Sequence, residues 1–396
     1  MYDCLVVGAG PAGAAAARAA AQRLDVLLVE EHATVGQPAH CTGLVSLSGL
    51  RALGWDWKAA ESHRVRGALI WSPGLKSIEV RAAEPKAAVL DRAVFDPLAA
   101  AAALDAGAEI ALSTRAELSG KAVTIRAGRR RKLLRPKVVI AADGAASSLA
   151  DAADLPPIKS FAVCAQADYA GAELESDEMV QLFLSARAFP GFFGWIVPLG
   201  DGGARVGVGI RAGAGDVMKH FELFVRHNPA IAAQLRRAKQ ISKLVGTIPL
   251  EVRRKTVAGS LMAVGDAAGQ VKATTGGGIV IGSECGAIAG QVAAEHVLDE
   301  TKLVEYERRW RTEWGRELAL HRTIRDFLDS LPDPKLEKYF EFAAAHNLGG
   351  LLAQSGDMDR ASSLLQLFER NKSLVLPALG LAGALGADYL RKLFEV

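Results

Sequence analysis

The sequence predicts an α/β protein with a Rossmann-like dinucleotide-binding domain, an inserted antiparallel sheet and a C-terminal helical region. Three observations predict this fold class. A glycine-rich turn follows a short apolar run at the N-terminus, which is typical of a buried parallel strand that leads into a helix. Two further glycine segments follow short apolar runs near residues 141 and 264. Between these two segments, alternating apolar stretches at 161–165 and 205–210 indicate antiparallel strands.

The N-terminal turn has the residues that a bound pyrophosphate requires. Its first glycine allows a tight turn, its second lets the backbone approach the phosphates, and its third lets the following helix pack on the strand. The free N–H groups and positive dipole end of that alanine-rich helix would face the pyrophosphate. Glu30, followed by Glu31, comes at the end of the second strand, where an acid hydrogen-bonds a ribose diol. The turn itself is Gly8, Ala9, Gly10, Pro11, Ala12 and Gly13.

The second and third glycine segments return the chain to the same edge of the predicted sheet. Each comes at the carboxyl end of a short buried strand, where open α/β sheets bind their ligands. The third continues into a long helix whose N-terminus would stabilise the pyrimidine edge of a flavin ring, which becomes anionic on reduction. Together the three segments predict one FAD site. The residues concerned are Ala142, Asp143, Gly144, Gly265, Asp266, Gly276, Gly277, Gly278 and Ile279.

Two more parts of the N-terminal region are candidates for flavin contact. The loop 36–43 carries glycine and proline and therefore is not regular structure. We expect it to cross the flavin, which adds Cys41, Thr42 and Gly43 to the cofactor site. Arg92 begins a long alanine-rich helix with Asp91 as its N-cap, and its guanidinium could clamp a phosphate or the flavin edge.

Composition limits the other functions. The 396 residues carry a net charge of only +3, so no strong electrostatic attraction to nucleic acid is expected. The four cysteines are widely scattered, which argues against a zinc site or a disulfide framework, and we expect no bound metal. No apolar run reaches the roughly 18–20 residues that span a bilayer, and the first strand leaves no room for a signal peptide. We therefore expect a cytoplasmic protein, with peripheral contact to a membrane as the alternative.

The predicted domain organisation is discontinuous. Residues 1–155 together with 256–300 form the FAD-binding domain, 156–255 form an antiparallel substrate domain, and 301–396 form a helical region. Residues 65–80 and 123–140 are each predicted to contain a hairpin. The apolar, uncharged segment 374–387 is too short to span a membrane. It has three open roles: packing on the core, covering a substrate tunnel, or touching a membrane surface.

Taken together, these segments resemble the flavin fold of the aromatic hydroxylase superfamily. Within it the chain most resembles the geranylgeranyl reductase family, in its archaeal prenyl-lipid type. Residues 36–43 resemble that family's Gly-x-Pro-x-x-Cys-x-Gly loop, and residues 91–96 match its Asp-Arg-x-x-Phe-Asp element. Residues 189–198 resemble its Pro-Gly…Tyr-x-Trp-x-Phe-Pro segment, with Phe193 replacing the tyrosine and Val197 the phenylalanine.

The resemblance implies an FAD-dependent reductase that saturates prenyl double bonds of an isoprenoid lipid or diphosphate. It implies that Cys41 lies beside the flavin ring, and that an apolar tunnel is lined by Phe192, Phe193, Trp195 and Pro198. The proton for the second carbon would come from Cys41, from His40 or from ordered water. With no second dinucleotide fingerprint visible, we expect a transient electron donor, either NADPH or ferredoxin.

Two other functions fit the same sequence. A flavin monooxygenase of the same superfamily would activate dioxygen. A halogenase is a further variant, because residues 193–198 faintly resemble an element of flavin halogenases. An electron-transfer flavoprotein belongs to a different class, and the absence of an iron–sulfur cysteine cluster argues against it.

Overall fold

The computed structural model describes residues 2–39, 41–120 and 122–371. Its strands form four sheets. The predicted hairpins are present as β5–β6 and β10–β11. The strands are β1 Cys4–Val7, β2 Val26–Val29, β3 Leu44–Ser46, β4 Glu61–Val65, β5 Gly67–Trp71, β6 Ser77–Arg81, β7 Ala87–Leu90, β8 Glu109–Ala111, β9 Thr114–Ser119, β10 Ala122–Ala127, β11 Arg130–Leu134, β12 Val138–Ala141, β13 Phe161–Ala170, β14 Met179–Phe183, β15 Gly194–Gly200, β16 Gly203–Arg211, β17 Lys239–Gln240, β18 Leu244–Pro249, β19 Val257–Ala258 and β20 Leu261–Ala263.

Most helices lie either within residues 1–155 or in the C-terminal third of the described chain. Short 3₁₀ turns occupy Lys58–Ala60 and Gly265–Ala268. The α-helices are α1 Pro11–Ala21, α2 Leu47–Ala52, α3 Arg92–Asp105, α4 Ser148–Ala152, α5 Val217–His227, α6 Pro229–Gln234, α7 Ile279–Asp299, α8 Val304–Trp310, α9 Arg316–Asp329, α10 Asp333–Ala345, α11 Leu348–Ser355 and α12 Ser362–Arg370.

The nucleotide-binding part is built on a parallel sheet. Within the described part of the chain its order is β19-β20-β12-β1-β2-β8, and every pair is parallel except β19 with β20. The short strands β1, β2 and β12 are buried along their whole length, as their apolar runs predict. The predicted Rossmann-like fold is therefore confirmed.

Helices α1 and α7 pack unusually closely. A Cβ on Gly286 would lie 2.1 Å from the Ala12 carbonyl oxygen, and one on Gly290 would lie 2.3 Å from the Ala16 carbonyl oxygen. Only glycine on α7, against an alanine-rich α1, lets the two backbones approach to this distance. This contact fixes the N-terminal ends of both helices on the same side of the parallel sheet.

The large sheet is assembled from two parts of the chain. Among the described residues its path runs β17-β13-β16-β15-β14-β5-β6, and β18 also pairs with β13. Strands β5 and β6 come from residues 67–81, well before the predicted substrate region, and β5 pairs with β14 in parallel. The sheet thus combines antiparallel strands with one parallel pair, and the boundaries 156–255 stay a prediction that omits these two strands.

The C-terminal third of the described chain is helical, as expected. Helices α8 and α9 form one continuous rod, joined by a π-helical turn at Arg311–Gly315. Trp310 and Trp314 point into the core and are 0% and 2% exposed. In the part of the chain that the structure covers, no helix combines the length and apolarity needed to cross a bilayer. The predicted apolar segment 374–387 lies outside the described residues.

Candidate functional site

The three N-terminal glycines meet three different environments. A Cβ on Gly8, which has φ +100°, would lie 2.3 Å from the Ala142 carbonyl oxygen. A Cβ on Gly13 would lie 1.8 Å from the Gly8 carbonyl oxygen, whereas one on Gly10 would meet nothing within 4 Å. The first and third glycines are therefore required by packing. The second faces open space, which is what a cradle for a pyrophosphate requires.

The other two glycine segments join this cradle. The amide of Ala142 donates to the Val7 carbonyl oxygen over 2.8 Å, which places the second segment beside the N-terminal turn. In the third segment, a Cβ on Gly265 would lie 2.7 Å from the Ala12 Cβ. Neither α1, capped by Gly10, nor α7, capped by Gly278, has a side-chain hydrogen bond at its N-terminus. Free N–H groups of both helices are thus available to an anionic ligand.

The acids of the cradle have protein partners of their own. Glu30 accepts from the Ala9 amide over 2.9 Å, and its other oxygen lies 2.7 Å from His32 Nδ1. Glu31 is on the surface, where it pairs with Arg115 over 2.9 Å. The Asp143 carboxylate accepts from the Ser147 hydroxyl and the Leu149 amide at the start of α4. Burial raises the pKa of Asp143, and these hydrogen bonds oppose the rise.

Arg92 is a charged residue close to residues 36–43, which we call the cysteine loop, and to the third glycine segment. Arg92 makes a bidentate pair with Asp96, with both N–O distances 2.6 Å. Burial disfavours the Arg92 charge, but Asp96 and the nearby Cys41 side chain raise the pKa of this guanidinium above its ordinary value. Burial also raises the pKa of Asp266, and the charge of Arg92 opposes that rise. Cys41 and Asp266 are therefore each close enough to Arg92 to interact with it electrostatically.

The cysteine loop is held from both sides. On one side, Gly36 (φ +79°) packs on the start of α3, and Gly43 (φ +77°) packs on the end of β7. Cβ atoms at these glycines would lie 2.4 and 2.3 Å from the Arg92 and Leu90 carbonyl oxygens. The Cys41 sulfur accepts from the Gly43 amide over 3.3 Å. The loop is thus fixed in place by close backbone contacts, and Cys41 is half-buried within it. His40 lies outside the described residues.

On its other side the loop is clamped by the large sheet. Arg205 donates to the carbonyl oxygens of Cys41 over 3.3 Å and Thr42 over 2.9 Å, and Gln166 donates to Cys41 over 3.3 Å. Asp168 orients Arg205 through two N–O contacts of 2.6 and 2.8 Å. Sequence reasoning missed these clamping residues. The only signal was their alternation on strands β13 and β16, which predicts a shared face but not a partner.

A buried ion pair links the loop before α7 to the C-terminal region. Lys272 donates to Asp359 over 2.6 Å, and their side chains are 9% and 8% exposed. A Cβ on Gly277 would lie 2.7 Å from the Lys272 Cε, so the lysine stem lies directly under the glycine run. Burial opposes the Asp359 charge, yet Lys272 and the Ser46 hydroxyl hold the pKa of that carboxyl below its usual value. The position of the glycine run thus depends on residue 359.

His321 completes this cluster, and its lowered pKa predicts a stability that depends on pH. Its Nδ1 lies 2.7 Å from Thr274 Oγ1 and its Nε2 lies 3.2 Å from the Asp359 carbonyl oxygen. Burial and the Lys272 charge lower the pKa of His321 from 6.5 to about 4. Above pH 6.5 the imidazole is neutral whether the chain is folded or unfolded. As the pH falls from 6.5 to 4 only the unfolded chain takes up the proton, so we expect the free energy of unfolding to drop by about 3 kcal/mol.

Chemical denaturation of wild type and His321→Gln between pH 7.5 and 4 measures this contribution. The glutamine variant should lack this part of the decline, so the two curves should converge as the pH is lowered. Parallel curves over this range would contradict the assignment of the effect to His321.

The predicted aromatic wall is a packed cluster. Phe192 stacks on Phe193 with a centroid distance of 4.3 Å, and Phe193 meets Trp195 edge-on at 5.7 Å. All three are at most 8% exposed, and Pro198 is buried on the same strand as Trp195. A Cβ on Gly276 would lie 3.4 Å from the Phe192 ring, so this cluster adjoins the loop before α7. The three rings therefore pack against one another at the position where we predict the wall of an apolar tunnel, next to the predicted flavin site.

Comparison with known proteins identifies the family. The model of the FAD binding domain family matches residues 1–283. A digeranylgeranylglycerophospholipid reductase of Methanopyrus kandleri is 37% identical over 338 residues, covering 80% of this chain and 83% of that protein. Its counterpart in Methanocaldococcus jannaschii is 32% identical over 366 residues, covering 89% and 92%. The chain belongs to this reductase family. FAD is therefore its cofactor, and the protein is a flavin-dependent oxidoreductase.

Solved structures agree on the fold. A geranylgeranyl bacteriochlorophyll reductase-like protein of Thermoplasma acidophilum superposes with a TM-score of 0.82 at 24% identity, covering 96% of this chain and 99% of that one. A flavin-dependent brominase, Bmp2, superposes with a TM-score of 0.71 at 17% identity, covering 94% and 99%. At these identities the likeness describes the fold, so the brominase carries no argument for halogenation here.

Proposed function

We propose that this reductase saturates the isolated double bonds of a geranylgeranyl chain carried on an isoprenoid lipid or diphosphate. The names of its relatives in the same family support this substrate class. The structural observation that carries it is the aromatic cluster of Phe192, Phe193 and Trp195 beside the loop before α7. An alkene with no polar group near its double bond can be held only by apolar walls.

We propose that FAD is held by the three glycine segments, the cysteine loop and Arg92. The open space at Gly10 and the free N–H groups of α1 fit the pyrophosphate, and the free N–H groups of α7 fit a site where negative charge develops. The proposed cofactor residues are Gly8, Ala9, Gly10, Pro11, Ala12, Gly13, Glu30, Glu31, Cys41, Thr42, Gly43, Arg92, Ala142, Asp143, Gly144, Gly265, Asp266, Gly276, Gly277, Gly278 and Ile279.

We propose different roles for the cofactor and the residues of the site in the reduction of the double bond. FAD, when bound and reduced, would supply the hydride for one carbon of the double bond. The aromatic cluster holds the alkene and excludes water. Cys41 is our candidate for delivering the proton to the other carbon, because its thiol is held by the clamped loop beside Arg92. His40 is the second candidate.

An anaerobic single-turnover experiment tests the reaction. The protein is reduced with dithionite and mixed with a geranylgeranyl lipid in the absence of dioxygen. We expect the flavin to reoxidise in step with the saturation of double bonds, followed by mass spectrometry of the lipid. Reoxidation by dioxygen only, with the alkene intact or oxygenated, would instead identify a monooxygenase. Reoxidation by a quinone only would identify an electron carrier.

The electron donor and the membrane contact are further parts of this proposal. We propose a transient donor, NADPH or ferredoxin, and anaerobic flavin reduction by each donor in turn distinguishes them.

We also propose peripheral contact with a membrane, where a lipid substrate resides. Sedimentation with phospholipid vesicles tests this contact, and a protein that stays in the supernatant would argue against it.

A further inference from the structure

A pocket beside the aromatic cluster contains a buried cation. The pocket has a volume of about 110 Å³ and lies between residues 184–192 and helices α9 and α10. Apart from Ser185, Arg325 and Asp329, its side chains are apolar or absent. Phe192 forms part of its lining, so the pocket touches the proposed substrate wall.

Arg325 has hydrogen-bonding capacity that the described residues leave unused. The residue is 1% exposed, and neither its Nε nor its Nη1 has a hydrogen-bond partner among them. Asp329 Oδ1 lies 3.2 Å from the Nε without the alignment of a hydrogen bond. Burial lowers the pKa of Arg325. The N–H groups on two nitrogens of a buried cation are costly to leave unpaired, so an acceptor that reaches them from the pocket would be bound firmly.

The acids around the pocket are shared with other donors, and Asp329 also forms an ion pair with Arg325. Asp329 pairs with Arg211 through its other oxygen, and Asp326 pairs with Arg322 over 2.8 Å. Asp333 accepts from the Ser185 hydroxyl and the Ala186 amide over 3.0 and 2.6 Å. Because the single Asp329 carboxylate is divided between Arg211 and Arg325, the unpaired N–H groups of Arg325 favour an acceptor that carries negative charge.

Phe192 connects this pocket to the flavin side. The Arg325 guanidinium lies 5.5 Å from the centre of the Phe192 ring, and the same ring adjoins Gly276 and stacks on Phe193. A ligand anion on Arg325 would therefore be separated from the loop before α7 by one aromatic ring. A hydrocarbon chain attached to that anion would continue along the aromatic cluster.

We infer that Arg325 binds the phosphate of a prenyl phosphate ester, and that this pocket is the polar end of the substrate site. The inference rests on the proposed function for the identity of the hydrocarbon. It assigns to the substrate an anionic head group at a fixed place, with the first prenyl units beside Phe192. Inorganic phosphate shares the head-group chemistry without the chain, so the test must separate the two.

Binding measurements on the FAD-loaded protein test the inference. Geranylgeranyl phosphate, geranylgeraniol and inorganic phosphate are titrated into wild type, Arg325→Met and Arg325→Lys by calorimetry. Methionine should weaken binding of geranylgeranyl phosphate by about ten-fold or more, because a charge-assisted hydrogen bond is lost, and leave geranylgeraniol unchanged. Lysine keeps the charge and should restore part of the affinity. Arg316→Met, exposed on the same helix α9 and outside the pocket lining, is the matched control and should bind all three ligands like wild type.

The outcomes separate this inference from the proposed function. Equal affinity of wild type and Arg325→Met for geranylgeranyl phosphate would overturn it, even if the anaerobic assay shows alkene reduction. Inorganic phosphate binding as tightly as geranylgeranyl phosphate would also overturn it, because Arg325 would then be a free-anion site. Failure of alkene reduction with Arg325-dependent binding intact would overturn the proposed reaction alone. Thermal unfolding of both Arg325 variants shows whether they are folded.

Discussion

Gly10→Val should yield a folded protein that does not retain FAD. Gly10 has φ −67° and ψ 176°, a conformation that valine adopts without strain, and its Cβ would meet nothing within 4 Å. The new side chain would occupy the space proposed for the pyrophosphate. Overlap of this kind should weaken FAD binding by about 100-fold or more. The FAD content of the purified protein and titration of the apoprotein with FAD measure the effect.

Gly13→Val is the informative comparison. Here a Cβ would lie 1.8 Å from the Gly8 carbonyl oxygen, so the helix could not pack on its strand. This variant should lose the fold itself, whereas Gly10→Val should unfold at the same temperature as FAD-free wild type. Because bound FAD adds stability by mass action, both must be compared with the apoprotein. A Gly10→Val protein that is yellow with FAD at wild-type affinity would exclude the glycine turn as the pyrophosphate site.

Cys41→Ala and Cys41→Ser should keep FAD but lose turnover by about ten-fold or more, as expected when a proton donor is removed. The loop should survive because its position depends on the Gly36 and Gly43 backbones and on Arg205, to which the thiol adds only one weak hydrogen bond, from the Gly43 amide. The rate of anaerobic flavin reoxidation by a geranylgeranyl lipid is the measurement. Serine should be less impaired than alanine if a weak donor can replace the thiol.

Cys4→Ala is the matched control for loss of a thiol. Cys4 is fully buried on β1, where burial raises the pKa of its thiol to about 12, and it lies outside the proposed site. Its removal should leave the reoxidation rate unchanged. If Cys41→Ala also reoxidises at the wild-type rate, Cys41 only packs in its loop, and the proton must come from His40 or water.

The parts of the site that the sequence predicts are those set by local backbone requirements. Gly8 and Gly13 are needed wherever a strand, a turn and a helix are packed this closely, so their spacing alone indicates the cradle. The partners of the cysteine loop follow a different rule. Arg205 reaches Cys41 across 164 positions, and only the completed large sheet brings them together.

The same limit applies to the C-terminal region. Its helices and the burial of Trp310 follow from helical periodicity, and both are present. The pairing of Lys272 with Asp359 spans 87 positions and leaves no periodic trace in the sequence. Likewise, Arg325 is one of several arginines on an amphipathic helix, and only the structure shows that it is the buried one.

The ion pair between Lys272 and Asp359 has a consequence for how the protein is divided. A fragment that ended before residue 359 would leave the Lys272 ammonium buried without its carboxylate, which is strongly destabilising. We therefore expect residues 1–283, the region that the family model matches, to be unstable when expressed alone. We also expect the cofactor-binding part and the helices up to residue 359 to unfold together, because the loop before α7 keeps its buried ion pair only while both are folded.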